Sequence, residues 1–387
     1  MSIGARSGLD RRSVLLLAAL GWAAPARLLA DGAAPLRLWS AASDREDRHF
    51  LIGFAVQEGA LKAFARLPLP ERGHHVASAP SRALLVSVAR RPGSSLVLVD
   101  ATTASVTAEL RVPADRHLYG HGVFSPDGDW FYTTENAFNE PGDRSGRVVR
   151  WRVSGHGASA ALTRIDEFPT GGTGPHELLL LPDGDTLVIA NGGIRTHPSW
   201  DRDILNLDTM QPSLAYVDRH SGRVLEQHFL PAEFHQSSIR HLDANAAGEV
   251  VLGMQFEGAA FLTVPLLATH RRGEALRPLL ATAELQPRLQ QYVGSVRFAR
   301  DGRHVAATCP RGNLLTVWNT GSGQVVQQLR ARDNCGVYAT AKGFLYSTGM
   351  GKVAELDLGT GALEELADAE TLDLLWDNHL CADLPTA

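Results

Sequence analysis

The stretch Gly122-Val-Phe-Ser-Pro-Asp-Gly-Asp-Trp-Phe-Tyr-Thr-Thr134 decides the fold. Two apolar runs flank a Pro-Asp-Gly turn, and glycine there accepts the positive φ that a tight hairpin demands. The same unit returns as His176-Glu-Leu-Leu-Leu-Leu-Pro-Asp-Gly-Asp-Thr-Leu-Val-Ile-Ala190. A third copy is Ser295-Val-Arg-Phe-Ala-Arg-Asp-Gly-Arg-His-Val-Ala-Ala307. Weaker copies run from Val76 to Val88, Ile239 to Gly253 and Val337 to Ser347. A recurring unit of this kind signals a repeat architecture.

Each hairpin is followed by a second with its own signature: Leu96 to Asp100, Leu214 to Asp218 with Gly222, Leu315 to Asn319 with Gly323, and Val353 to Asp357 with Gly361. In these the Asp or Asn side chain caps the turn and glycine closes it. Four short strands per unit describe the blades of a propeller. Six units open near residues 74, 119, 175, 238, 294 and 335. The chain ends supply a seventh: His49–Val56 and Leu61–Ala65 read as middle strands without an inner partner, and Leu372–Cys381 reads as an inner strand without a blade. The expectation is an all-β chain forming a single β-propeller of seven four-stranded blades, closed by pairing of N- and C-terminal strands. An eighth blade would require further strands hidden in Leu266–Leu285.

Residues 1–30 read as a signal peptide and 31–387 as the propeller domain. Arg6, Arg11 and Arg12 form a positive n-region, and the uncharged stretch Ser13–Ala24 is too short to span a bilayer. Ala24-Pro25-Ala26 and Ala30 offer cleavage points, so cutting near residues 26–30 and a periplasmic location are expected. Asp10-Arg11-Arg12-Ser13-Val14-Leu15 resembles a twin-arginine signal, although Asp10 and Val14 depart from the usual pattern. A net charge of −5 gives no electrostatic footprint for nucleic acid. No later apolar run suggests stable membrane insertion, and a monomer is expected. Three cysteines (Cys309, Cys335 and Cys381) are too few for a disulfide framework.

The innermost strand of a blade lines the axial channel, so residues at inner-strand starts can meet. Those positions hold His74, His75, His117, His121, His176, Arg240, His241, Ser295, Cys335 and His379. Histidine thus recurs in five of seven units, although the chain contains only 15. Convergent imidazoles suit Fe, Cu and Zn, which makes His75, His121, His176, His241 and His379 candidate metal ligands and Fe or Cu the expected ions. Glu135 or Glu177 would favour hard Fe(III); imidazole and thiol alone would favour Cu or Zn. Two long loops reach the same face and, with Arg240, nominate Glu135, Asn136, Asn191, Arg195 and His197 for ligand binding. Arg90, Arg91, Gln255, Glu257 and Arg311 lie on shorter loops there.

Gly174-Pro-His-Glu-Leu178, Ser238-Ile-Arg-His-Leu242 and the stretch Asn191–Leu214 resemble the domain-of-unknown-function 1513 family over almost the whole mature chain. That resemblance implies a YVTN/quinoprotein-like propeller in the periplasm, with genes often beside those of imelysin-like and other iron-uptake components. Such components are therefore the implied partners. The leading functional reading is a non-catalytic periplasmic binding or accessory protein associated with iron or another transition metal. A lactonase-like hydrolase is the alternative, with His176, Glu177 and Arg240 polarising a carbonyl and activating water. A protein-interaction scaffold is the third reading. No Gly-x-Ser-x-Gly nucleophile elbow is present.

Overall fold

The computed structural model describes residues 35–383, except 58, 81, 141–144, 201–202 and 369–373. The signal peptide expected over residues 1–30 lies outside the described residues. From Leu36 onward the chain forms one compact unit of seven blades around a common axis.

Blades 1 to 6 follow in chain order as antiparallel four-stranded sheets. They span Gly73–Arg111, Arg116–Pro169, Pro175–Phe229, Ser237–Leu279, Ser295–Arg330 and Asn334–Glu365. Within each, the first strand lies toward the axis and the fourth at the rim. The segment 266–285 hides no eighth blade: Leu267–His270 and Arg277–Leu279 are the outer strands of blade 4.

The turns form as their sequences require. Gly128, Gly184 and Gly302 take φ of +68°, +75° and +67°, and the preceding aspartate accepts backbone N–H bonds two residues on. Asp127 accepts from Asp129 at 2.9 Å, Asp183 from Asp185 at 2.9 Å, and Asp301 from Arg303 at 2.8 Å. In the second hairpins Asp218, Asn319 and Asp357 accept the backbone N–H groups of Ser221, Ser322 and Gly359, two or three residues on.

Blade 7 is closed by both ends of the chain, with one correction to the expected strands. Leu36–Ser43 is a strand that the turn pattern did not reveal, and it pairs with His49–Gln57, which pairs with Ala60–Leu69. The latter two are therefore the third and fourth strands, not middle strands awaiting an inner partner. The C-terminal segment supplies the inner strand in two pieces: Leu375–Trp376 pairs with Ser43 and Ala42, and Cys381–Ala382 with Trp39 and Leu38.

Hydrophobic residues gather into seven clusters, each between two neighbouring blades. Examples are Leu84, Leu98 and Phe131 between blades 1 and 2, and Leu38, Phe54, Leu345 and Trp376 between blades 6 and 7. Inner and middle strands are buried on both faces, whereas rim strands alternate, as Gln324–Arg330 shows. Trp151, Trp318 and Trp376 pack in these seams. All three cysteines are free thiols. Among the described residues, no helix is long and apolar enough to cross a membrane.

Trp376 is 3% exposed, meets Phe54 at a ring separation of 5.2 Å and donates its indole N–H to Gly351 O. Trp376→Ala should cost about 3–5 kcal/mol, read as a lowered urea midpoint. Leu363→Ala on a rim strand should move it by no more than about 0.5 kcal/mol. An unchanged midpoint in Trp376→Ala would show that closure does not depend on this contact.

Candidate functional site

A regular strand sends successive side chains to opposite faces, so paired histidines would not normally share one. The inner strands escape this rule by breaking register where the histidines sit. In blade 1 the shift falls between Gly73 and His75, in blade 2 between Leu118 and Gly122, in blade 3 between Pro175 and Leu178, and in blade 4 between Ile239 and His241. In blade 7 the residues Asp377–Leu380 lie between the two paired pieces. Such bulges re-aim side chains. Blade 5, which contributes Ser295, has no such shift.

The result is a contiguous cluster of six imidazoles: His74, His75, His121, His176, His241 and His379. His121 lies at the centre, with ring separations of 4.9 Å to His74, 5.3 Å to His75, 5.0 Å to His176, 5.9 Å to His241 and 4.6 Å to His379. His176 and His241 are 4.9 Å apart, and His241 and His379 5.1 Å. Gly120 makes room, since at φ +104° a Cβ there would stand 2.5 Å from His74 Cδ2. Ring nitrogens of His74, His121 and His176 lie within 4.8 Å of one another, as do those of His121, His241 and His379. Two ligands with bonds of about 2.0–2.1 Å to one ion stand at most about 4.2 Å apart, so modest ring rotation completes either triad.

Carboxylates behind the rings fix their orientation. His74 Nδ1 meets Asp377 Oδ1 at 2.7 Å, and Asp377 also accepts from Arg72 at 2.7 Å and Arg90 at 3.1 Å. Donation through Nδ1 leaves the His74 Nε2 lone pair facing the cluster. Glu177 Oε2 lies 3.3 Å from His241 Nδ1 and accepts the Leu242 N–H, while Oε1 stands 3.7 Å from His121 Nδ1. Six ring nitrogens have no hydrogen-bond partner among the described residues: His74 Nε2, His75 Nδ1, both of His121, His176 Nδ1 and His379 Nε2. Burial pushes the pKa of His74 and His75 down to about 4, in His74 against the opposing pull of Asp377. Burial, reinforced by neighbouring histidines, holds His121, His176 and His379 well below the ordinary value. These rings are neutral near pH 7, the form that offers a lone pair to a metal.

On one side the cluster opens to a small cavity of about 40 Å³. His74, His176 and His241 form part of its wall, and Arg90, Arg91, Tyr119, Arg240, Tyr292 and Asn378 complete it. Sequence reasoning missed Tyr119, Tyr292, Asp377 and Asn378, although the last two precede His379 directly. Of the alternative catalytic set, His176 and Arg240 share this cavity, whereas Glu177 turns toward His241 and His121. The volume is far below the ~300 Å³ of ordinary organic ligand pockets, which is too little for a sugar lactone.

The other candidates occupy a separate place. His117 does not join the axial cluster: its ring meets Asn136 Nδ2 at 2.9 Å and Leu118 O at 3.0 Å. Asn136 also donates to Thr196 O, and Phe138 packs edge-on to His197, so these residues tie the two long loops together. Glu135 is fully buried and paired with Arg164 at 2.8 Å. Asn191 donates to Thr170 O and Ser213 Oγ, and the Arg195 side chain is exposed. Of the expected ligand-binding set, only Arg240 faces the cavity. Elsewhere Glu226, His228 and His270 also cluster, but both His270 nitrogens are bonded, to Tyr216 Oη and Glu274 O.

A seven-bladed propeller with an axis filled by imidazoles is the class that fold and site define. The chain belongs to the family described as "Protein of unknown function (DUF1513)", whose model matches residues 67–382 and so covers six blades and the closing inner strand. Among solved structures, Kuenenia stuttgartiensis hydrazine synthase superposes with a TM-score of 0.55 at 14% identity, covering 91% of this chain and 100% of that one. At that identity the likeness concerns the fold alone. No curated protein matches the sequence significantly.

Burial holds His117 down at about 4 against an ordinary 6.5. The unfolded chain therefore takes up this proton first, so the contribution is complete above pH 6.5 and is lost as pH falls toward 4. The metal-free protein should show a urea midpoint that drops between about pH 7.5 and about pH 5. His117→Asn should reduce that slope; an unchanged slope would show that His117 titrates normally in the fold.

Proposed function

We propose that this protein is a periplasmic transition-metal-binding propeller whose axial histidine cluster holds a resident ion through one of its two triads. One observation carries the reading: six buried ring nitrogens on five packed imidazoles have no hydrogen-bond partner among the described residues. A buried polar group left unpaired costs about 1–3 kcal/mol, so a cluster of such rings is stabilised by a ligand that takes up its lone pairs. Coordination to a cation satisfies the lone pairs that face the cluster, and the protons can sit on the nitrogens that face Asp377 and Glu177.

The donor chemistry favours copper. Imidazole suits Cu, Zn, Ni and Fe(II), and the order of affinities peaks at Cu(II). Hard Fe(III) wants carboxylate, yet Glu135 is spent on Arg164 and Glu177 stands behind the rings. Export by the segment read over residues 1–30 supports the periplasmic part of the proposal. A place beside iron-uptake components rests on the family resemblance, and Fe(II) is the iron state that this donor set suits.

Metal content by mass spectrometry, on protein purified from the periplasm without chelators, should show a stoichiometric transition ion. Combining His121→Ala, His176→Ala and His241→Ala should abolish it while the far-UV circular dichroism spectrum stays that of a folded β-protein. Asp377→Asn, which leaves the rings but weakens their orientation, should lower affinity about 10–100-fold. A wild-type protein that is metal-free as purified and takes up neither Cu, Zn nor Fe would overturn the reading.

A further inference from the structure

The cavity above the imidazoles has a charge that does not suit a cation in transit. Arg90, Arg91 and Arg240 all face it, and no carboxylate does. The acids that partner two of these arginines stand behind the wall: Asp377 accepts from Arg90, and Glu257 lies 3.1 Å from Arg240 Nη2. Asp377 is shared with Arg72, so neutralisation there is incomplete. A free metal cation passing this mouth would be repelled by guanidinium groups within a few ångströms, in a setting where Coulomb forces are poorly screened. An anion would be drawn in.

The polar atoms of the wall are also under-used. Arg240 Nε is buried without a hydrogen-bond partner among the described residues, and so is His176 Nδ1, while the Tyr119 hydroxyl, on a residue 3% exposed, adds a further donor to the wall. Arginine presents donors in a planar fork that matches an oxyanion or carboxylate. Size restricts the class further. A water needs about 10–15 Å³ of such space, so about 40 Å³ admits an ion of about three or four heavy atoms. Metal chelates of the organic kind are excluded by the same comparison.

We infer that this vestibule binds a small inorganic or one-carbon anion, held by Arg240, Arg91 and Tyr119 directly over the imidazoles. The inference rests on the reading of those imidazoles as a metal site, since the ion beneath supplies the anion's second anchor. It also makes the metal the fixed component and the anion the exchanging one.

The test uses full-length mature protein loaded with Cu(II), with metal stoichiometry measured on every sample by mass spectrometry. Azide, a linear three-atom anion, is titrated while the Cu(II) electron paramagnetic resonance and visible absorption spectra are recorded; citrate serves as the oversized control. Azide should perturb both spectra saturably and citrate should not. Arg240→Gln should weaken azide about tenfold, the scale of one charge-assisted hydrogen bond, with copper content unchanged. Tyr119→Phe, the milder change, should weaken it less and guards against misfolding of the arginine variant. Copper bound but spectra unmoved by azide would overturn the anion site and leave the metal reading standing. Equal azide affinity in wild type and both variants would assign the anion to the metal alone and overturn the vestibule. Failure of the wild type to bind copper, zinc or iron would overturn the metal reading and this inference with it.

Discussion

Closure of the ring is the constraint on which everything at the axis depends. Ala42 pairs with Trp376 and Trp39 with Cys381, so residues more than 330 positions apart in sequence complete one blade. Every hydrophobic seam then lies between two blades and none faces solvent as a sheet edge. Because seven twisted sheets must meet around a closed circle, the width of the central channel is set by the whole ring. The distances between imidazoles from five blades inherit that rigidity, and a site assembled this way needs no flexible loop to hold it.

Rigidity has a consequence for polar satisfaction. A flexible pocket would rotate an unpaired imidazole toward a backbone carbonyl, as happens at His117 with Leu118 O and at His270 with Glu274 O. The axial rings are turned away from such carbonyls: bulged inner strands point them at one another, and Asp377 and Glu177 contact two of them from behind. The same chain therefore satisfies some buried histidines fully and leaves others open. That contrast within one protein sets the axial cluster apart from ordinary core histidines.

Much of this was legible in the chain, and the boundary is physical. Pro-Asp-Gly hairpins are local, so their turns could be read from Gly128, Gly184 and Gly302 without knowledge of the rest. The recurrence of histidine at inner-strand starts was visible for the same reason. The strand Leu36–Ser43 was hidden because Leu-Arg-Leu-Trp-Ser-Ala-Ala-Ser carries no Gly, Pro, Asn or Asp and directly follows the alanine-rich stretch of residues 30–35. The register breaks could not be read either, since a bulge is a property of two strands together. Asn136, Asn191 and Glu135 belonged by spacing to the site face, yet each is consumed by a neighbour that sequence does not reveal: His117, Thr170 and Arg164.

The arrangement of charge resolves an apparent conflict between a cation site and the arginines above it. Two carboxylates, Asp377 and Glu177, touch the imidazoles from behind, the flank from which negative charge would stabilise a cation at the rings. The burial that keeps the histidines neutral would raise Asp377 too, yet Arg90, His74 and Arg72 together hold its carboxyl far below the usual range. Sign therefore alternates outward from the axis: imidazole lone pairs, then carboxylates, then guanidiniums. The carboxylates act on the ion from its flank, whereas the guanidiniums act on whatever approaches through the mouth. A cation at the axis and an anion at the mouth are complementary in this geometry, and each would tighten the hold of the other.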